Sequence, residues 1–249
     1  MERDLRNKII VITGGAQGLG LNIAEKFLQN DVKVVIILDI DSEKGAAAAC
    51  RLNLKYGEGK AVFLTCDVIK DLDTISNKII EKFHHVDVLV NNAGVVDESS
   101  ARRCLEINSI AVIEWSIKFR EHMRTDKGGK GGTIINIASI YGFLIDQFLL
   151  YYKASKHATL GFTRSLGHEY HHKKTNVRAI ALCPGFTRTE IITDKMAWEE
   201  DNEEFEEFKK SQPWQKPDAV GDAVIKIFRK ADSGTAWSIL GGGSIEQVP

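Results

Sequence analysis

The sequence predicts an α/β protein: a doubly wound fold, with a single parallel sheet of about seven strands and helices on both faces. Three observations predict it. Short β-branched apolar runs alternate with longer amphipathic segments along the chain, with no repeat, linker or low-complexity tract. The apolar runs are continuous rather than alternating, the pattern of strands covered on both sides. The unusual residues, glycine clusters and lone polar groups, follow those runs, where a parallel sheet gathers its ligand-binding edge.

The first strand is 9–12, four consecutive β-branched residues closed by Thr13. Glycines follow at 14, 15, 18 and 20, then Leu21, Ala24, Phe27 and Leu28 at helical spacing. Strand, glycine turn and helix start make an anion site, because backbone N–H groups and the positive helix end face one spot. A Cβ there would hold a diphosphate away. The spacing Gly14-x-x-x-Gly18-x-Gly20 alone also suits a turn without a ligand. The second run, 32–38, ends at Asp39, 19 residues past Gly20, where a dinucleotide-binding unit places a carboxylate for the adenosine ribose hydroxyls. That carboxylate would repel a 2′-phosphate, and Gln17 supplies no compensating charge, so NAD is expected over NADP. A turn-capping Asp is the plainer reading.

Ser42 is expected to cap a helix running to Tyr56, stopped by Gly57 and Gly59. A third strand, 60–65, ends in Cys66-Asp67-Val68. Asp71 begins a helix to Phe83, and the fourth strand, 86–90, closes on Asn91-Asn92-Ala93-Gly94. A helix over about 102–123 carries Asn108. A glycine-rich loop, 128–132, precedes strand 133–137 and Ser139. A long helix over about 151–171, a strand over 176–182 and Pro184-Gly185 follow. An acidic segment, a helix over 217–229 and a final strand over 236–240 complete the chain.

The 249 residues suffice for one domain, 1–249. Lys plus Arg is 33 and Asp plus Glu 34, which removes any electrostatic case for nucleic acid or an anionic membrane surface. No apolar run approaches the ~20 residues of a membrane span. Cys50, Cys66, Cys104 and Cys183 form no C-x-x-C pair and read as reduced thiols of a cytoplasmic protein. The charged N-terminus argues against a signal peptide.

Tyr152 and Lys156, four apart on a helix, share one face. An ammonium beside a phenol favours phenolate, and a drop of ~3 pKa units corresponds to about 4 kcal/mol. That would make Tyr152 a general acid/base near neutral pH. The pattern recurs as Tyr56/Lys60 and Tyr170/Lys174, but the first spans helix-breaking glycines and the second straddles a helix end.

Thr13-Gly14-x-x-x-Gly18-x-Gly20, Asn91-Asn92-Ala93-Gly94, Asn108, Ser139, Tyr152-x-x-x-Lys156 and Pro184-Gly185 together resemble the short-chain dehydrogenase/reductase family over essentially the whole chain. The short gap from Gly94 to Asn108, Pro-Gly-Phe-Thr-Arg-Thr (184–189) and Gly-Thr-Ala-Trp (234–237) resemble the branch of insect alcohol dehydrogenases and NAD-dependent hydroxyprostaglandin dehydrogenases. The resemblance implies a Rossmann fold and an oxidoreductase using NAD. Tyr152 would be the proton acceptor or donor, and Lys156 would hold the nicotinamide ribose and lower the tyrosine pKa. Ser139 would bind the substrate oxygen; Asn108 would hold a helix kink and a proton-relay water. Gly14, Gln17, Gly18, Leu19 and Gly20 would hold the diphosphate turn. Asp39 and Ile40 would meet the adenosine ribose, Asp67 and Val68 the adenine, and Asn91, Ala93 and Gly94 the adenosine side. Pro184, Gly185, Phe186, Thr187 and Thr189 would meet the nicotinamide. A homodimer or homotetramer is also implied.

His168-Glu169-Tyr170-His171-His172 matches a zinc-peptidase pattern formally, but a polar helix end accounts for it and no metal is expected. The segment 190–207 holds nine carboxylates. It reads either as a solvated face or, with Ile191, Ile192, Met196, Trp198, Phe205, Phe208 and Trp214 interleaved, as part of a substrate lid over about 187–215. Phe143, Phe148, Leu149 and Leu150 approach the Tyr152 helix. Leu149 stands where a hydroxyprostaglandin-type enzyme is expected to carry Gln. The expected substrate is therefore a hydrophobic secondary alcohol or ketone, a sterol, terpenoid or lipid, touching Ser139, Leu149 and Tyr152. An NADPH-dependent carbonyl reductase and a catalytically silent binding protein of the same fold are the alternatives.

Overall fold

Strand β1 (Ile9–Thr13) lies at the middle of an eight-stranded sheet ordered β3-β2-β1-β4-β5-β6-β7-β8. The partners are β2 (Val34–Asp39), β3 (Ala61–Thr65), β4 (Val88–Asn91), β5 (Gly132–Ile137), β6 (Val177–Pro184), β7 (Ala236–Ile239) and β8 (Glu246–Gln247). The computed structural model describes residues 2–189, 191 and 196–248. Glu190 and Ile192, both assigned to the expected lid, lie outside the described residues.

Strands β1 to β7 run parallel, and β1 pairs with both β2 and β4. The strand order reverses at that point, which opens a crevice beyond the carboxyl ends of the two neighbours. The sheet departs from the expected wholly parallel arrangement at one edge: the two-residue β8 pairs antiparallel with β7. Its Glu-Gln sequence carries no apolar signal, so it was illegible as a strand.

Continuous burial of β1, every residue 2% exposed or less, follows from two helical layers. Ile10, Ile12, Val35 and Ile37 pack against α1 (Gly18–Leu28), α2 (Ser42–Tyr56) and α9 (Pro217–Lys230). Ile9, Val11, Ile36 and Leu38 face α3 (Leu72–Phe83) and the segment formed by α4 (Ala101–Leu105), a π-helical turn (Glu106–Ala111) and α5 (Val112–Met123). Asp41, not Ser42, caps α2, its carboxylate accepting the Lys44 N–H at 2.9 Å.

The expected long helix over 151–171 divides into α6 (Leu150–Leu166) and α7 (Glu169–Thr175). The chain leaves the helix at His168 (ψ 143°), and close packing requires the glycine just before it, Gly167. A Cβ there would lie 2.3 Å from the Gly234 nitrogen, so another stretch of backbone occupies the space a side chain needs. His168 then caps the new helix, its Nδ1 accepting the Tyr170 N–H. Helix α8 (Asn202–Lys210) belongs to the acidic segment. Cys66, Cys104 and Cys183 are buried, and Cys50 is exposed.

Candidate active site

The carboxyl ends of the central strands open into a cleft of about 970 Å³. That is the upper end of the ~300–1,000 Å³ range of small-molecule sites, room for a cofactor and a substrate together. At one end lies the turn between β1 and α1. Gly14 (φ +63°) and Gly18 (φ +55°) adopt left-handed backbone. The α1 N-cap residue, Gln17, makes no side-chain hydrogen bond to the helix, so the first-turn amides keep their donors for a ligand. The backbone and side chains present therefore fit a dinucleotide diphosphate.

Gly20 sits behind this turn: a Cβ on it would lie 2.1 Å from the Gly14 oxygen. The loop after β4 pins the turn from the other side. Thr13 Oγ1 accepts the Asn92 and Ala93 amides, each at 3.1 Å, and Asn92 Nδ2 donates to the Gly14 oxygen at 2.8 Å. Asn92 is a site residue that sequence reasoning misses. Asn91, expected at the cofactor, turns its side chain away from the cleft. Buried, it donates to Asn136 Oδ1 (2.8 Å) and Ser116 Oγ (2.9 Å), tying β4 to β5 and α5.

Asp39 lines the cleft and also serves the plainer role foreseen for it. Its Oδ2 accepts the Ala16 N–H (3.0 Å) and its Oδ1 the Asp41 N–H (3.1 Å), holding the turn while leaving lone pairs for hydroxyl donors. Beside it, Lys44 Nζ donates to Gln17 Oε1 at 2.5 Å. This brings a cation to a corner where the glycine turn supplies none. Ile40, Asp67 and Val68 line the same end, as does Cys66.

Ser139, Leu149, Tyr152 and Lys156 line the middle of the cleft together with Ala93 and Gly94. Lys156 is buried, with Nζ 5.5 Å from the Tyr152 ring centroid and donating to the Ile137 carbonyl at 2.9 Å. Burial outweighs the expected ammonium–phenol attraction. Desolvation pushes the Tyr152 phenol up to about 12, partly offset by the Ser139 hydrogen bond, and pulls the Lys156 ammonium down to about 8. The lowered tyrosine pKa expected from the Tyr152/Lys156 spacing is thus reversed in the protein alone, because desolvation of the phenol outweighs the help from its neighbours.

Asn108 is fully buried in the π-helical turn, behind the cleft rather than in its lining. Its Oδ1 accepts the Val95 N–H and its Nδ2 donates to the Val95 carbonyl, both at 2.8 Å, and to Ser155 Oγ at 3.0 Å. Gly94 lies between Asn108 and Lys156: a Cβ there would be 3.1 Å from Asn108 Oδ1 and 3.7 Å from Lys156 Nζ.

The remaining wall is apolar. Tyr141 packs edge-on to Tyr152 (6.5 Å) and to Phe186 (6.0 Å). Phe186 meets Trp214 at 5.3 Å, and Phe148 meets Phe205 at 5.2 Å and Phe208 at 5.1 Å. Met196, Phe205, Phe208 and Trp214 thus face this cluster, whereas Trp198 is 54% exposed and does not. Pro184, Gly185, Thr187, Thr189, Ile191 and Arg188 complete the rim.

The family model for short chain dehydrogenases matches residues 8–200. A rat protein named 15-hydroxyprostaglandin dehydrogenase (NAD(+)) is 36% identical over 190 residues, 76% of this chain and 71% of the relative. Alcohol dehydrogenase 1 of Ceratitis capitata is 28% identical, covering 98% of this chain and 95% of its own length. Among solved structures, a 3-ketoacyl-(acyl-carrier-protein) reductase from Brucella melitensis complexed with NADH superposes with a TM-score of 0.80 at 26% identity, over 96% of this chain and 99% of that one. Levodione reductase superposes with a TM-score of 0.81 at 23% identity, over 96% and 98% of the two chains. With the glycine turn, the Tyr152/Lys156/Ser139 wall and the parallel sheet in place, the chain belongs to the short-chain dehydrogenase/reductase family of nicotinamide-dependent oxidoreductases.

Proposed function

We propose that this protein is an NAD-dependent dehydrogenase interconverting a hydrophobic secondary alcohol and its ketone. One observation carries the reading: Ser139, Tyr152 and Lys156 share a cleft whose far end holds an uncapped helix N-terminus and the Asp39 carboxylate. The α1 amides would hold the diphosphate, Asp39 the adenosine ribose hydroxyls, and Lys156 the nicotinamide ribose. When bound, the nicotinamide accepts or returns the hydride.

The protein's part is to orient the alcohol and move one proton. Ser139 holds the substrate oxygen beside the Tyr152 hydroxyl. A phenol near 12 is protonated at neutral pH and so stands ready to donate to a ketone. In the oxidative direction its proton must leave by a neighbouring base. Lys156, near 8, titrates where such a relay is useful, and Asn108 would hold the water beyond it. The segment 187–215 would act as the substrate lid, with Phe205 at the cleft and Phe208 and Trp214 packed in the aromatic cluster beside it.

The curated relatives' names bring hydroxyprostaglandins forward as one candidate. Leu149, buried at the cleft wall, offers no polar handle there and favours a less functionalised alcohol. The NADPH-dependent alternative keeps one supporting observation, the Lys44 ammonium on Gln17. Paired fluorescence titrations with NADH and NADPH decide between them, and tighter NADPH binding overturns the NAD assignment. Turnover is checked with 2-propanol, cyclohexanol, 2-octanol and a 3-hydroxysteroid. Tyr152→Phe should abolish it while NADH still binds; a panel that prefers short hydroxy acids or sugars refutes the hydrophobic substrate.

A further inference from the structure

Helix α6, which carries Tyr152 and Lys156, has no cap of its own. Leu149, its N-cap residue, is left-handed (φ +54°) and offers no side-chain acceptor. The acceptor comes from elsewhere in the chain. Glu98, in the loop after β4, is 3% exposed, and each carboxylate oxygen takes one helix amide: Oε1 from Tyr152 at 2.9 Å and Oε2 from Tyr151 at 3.1 Å. Both oxygens are thus met by N–H groups at the positive end of the helix, an environment that tolerates a buried carboxylate.

The loop ending in Glu98 touches each part of the site in turn. Asn92 holds the glycine turn, Val95 is hydrogen-bonded both ways to Asn108, and Val95 and Val96 line the cleft. Glu98 then grips the backbone amide of Tyr152 itself. A second tether lies at the same helix start, where the buried Lys153 ammonium binds Asp146 and the Phe148 carbonyl. Lys153 braces the segment leading into α6, whereas Glu98 joins α6 to the loop that sets Asn108 and the glycine turn.

We propose that Glu98 is a positioning residue for hydride transfer, fixing the Tyr152 hydroxyl relative to the cofactor end of the cleft. The proposal rests on the dehydrogenase reading above. Reaction rates fall steeply with misplacement, about a hundredfold for 1 Å, so a small slackening of this grip reduces turnover before it disturbs binding.

The test is Glu98→Gln in the full chain, an isosteric change that sets an amide donor against one of the two N–H groups. Hydrogen exchange of the peptide covering 149–156 is read with kcat and KM for 2-octanol, and NADH affinity by fluorescence. All are measured at a temperature where circular dichroism shows the variant fully folded. The expected result is about tenfold faster exchange at Tyr151 and Tyr152, with α1 unchanged. Turnover should drop about tenfold or more, with KM and the NADH Kd within about twofold. A merely structural cap would leave kcat of the folded variant intact. Unchanged exchange, kcat within twofold of wild type, or a loss that tracks weaker NADH binding overturns the proposal. Should E98Q fail to fold, E98D, one methylene shorter with the charge kept, is judged by the same readouts. A wild type inert toward the whole alcohol panel sinks the dehydrogenase reading and this one with it, whereas protected amides in E98Q sink the Glu98 proposal alone.

Discussion

Lys156→Met isolates the energetic cost of the lysine at the centre of the site. Lys156 is 4% exposed and its ammonium is pulled from 10.5 to about 8 by desolvation. Between those values the unfolded chain binds the proton and the folded chain does not, so wild-type stability rises with pH across that window. At pH 6.5, below both, the folded protein carries the full cost of a buried ammonium, about 3 kcal/mol at 1.36 kcal/mol per unit. At pH 10.5 most of that cost is gone. Methionine removes the charge at similar stem volume but leaves the Ile137 carbonyl without its 2.9 Å donor, a loss of about 1–3 kcal/mol at every pH. The variant should therefore match or exceed wild type in stability at pH 6.5 and fall below it by pH 10. For a chain of this size 1 kcal/mol moves the midpoint by roughly 2–4 °C, so the Tm difference should swing by about 6–12 °C between the two pH values. Scanning calorimetry of both proteins across pH 6.5–10 measures it, with turnover abolished in the variant throughout. Parallel Tm profiles would refute the reasoning, since they would mean that Lys156 is hydrated or holds its proton in the fold.

Other substitutions test separate parts of the same arrangement. Gly20→Ala, whose Cβ meets the Gly14 oxygen at 2.1 Å, should weaken NADH binding at least tenfold by fluorescence titration, at a stability cost of about 1–3 kcal/mol. Ser155→Ala removes a hydroxyl that donates to the Tyr152 carbonyl (2.7 Å) and accepts from Asn108; denaturant unfolding should show a loss of about 1–3 kcal/mol, with kcat falling more than KM rises. Arg178, 3% exposed, donates to the Ala231 and Phe228 carbonyls at 2.6 and 2.7 Å at the end of α9; Arg178→Ala should cost about 3 kcal/mol with NADH affinity unchanged in the folded fraction.

The central strands of the cleft were legible because they are continuous apolar runs covered on both faces, as at Ile9–Thr13 and Val34–Asp39. The glycine turn, Asp39, Ser139, Tyr152 and Lys156 were legible because each follows a strand or keeps a helical spacing. Two classes of feature were not. Asn91 and Asn92 are identical in type and adjacent, yet opposite in direction: strand alternation sends one into the β4–β5–α5 seam and the other onto the glycine turn. Nothing local tells which is which. Gly167 must be glycine only because the backbone at Gly234 arrives beside it, 67 positions later, and Glu98 is an acid in a loop until α6 comes to rest on it. Long-range approach decides the last two, and periodicity carries no trace of it.

The electrostatics follow the same division. Residue spacing places an ammonium beside a phenol and implies attraction between them. Desolvation of the half-buried phenol and the buried ammonium works against that attraction and raises the pKa of the one while lowering that of the other. Such a site gains its reactivity through what is brought into it. A proton on Tyr152 is held tightly, and Lys156 stands close to losing its own. Both groups are carried by α6, so this helix is where the site departs from ordinary titration. Removing the buried Lys156 ammonium should therefore hold or raise stability at neutral pH while silencing the protein, the reverse of what truncation of β1 or α9 core residues would do.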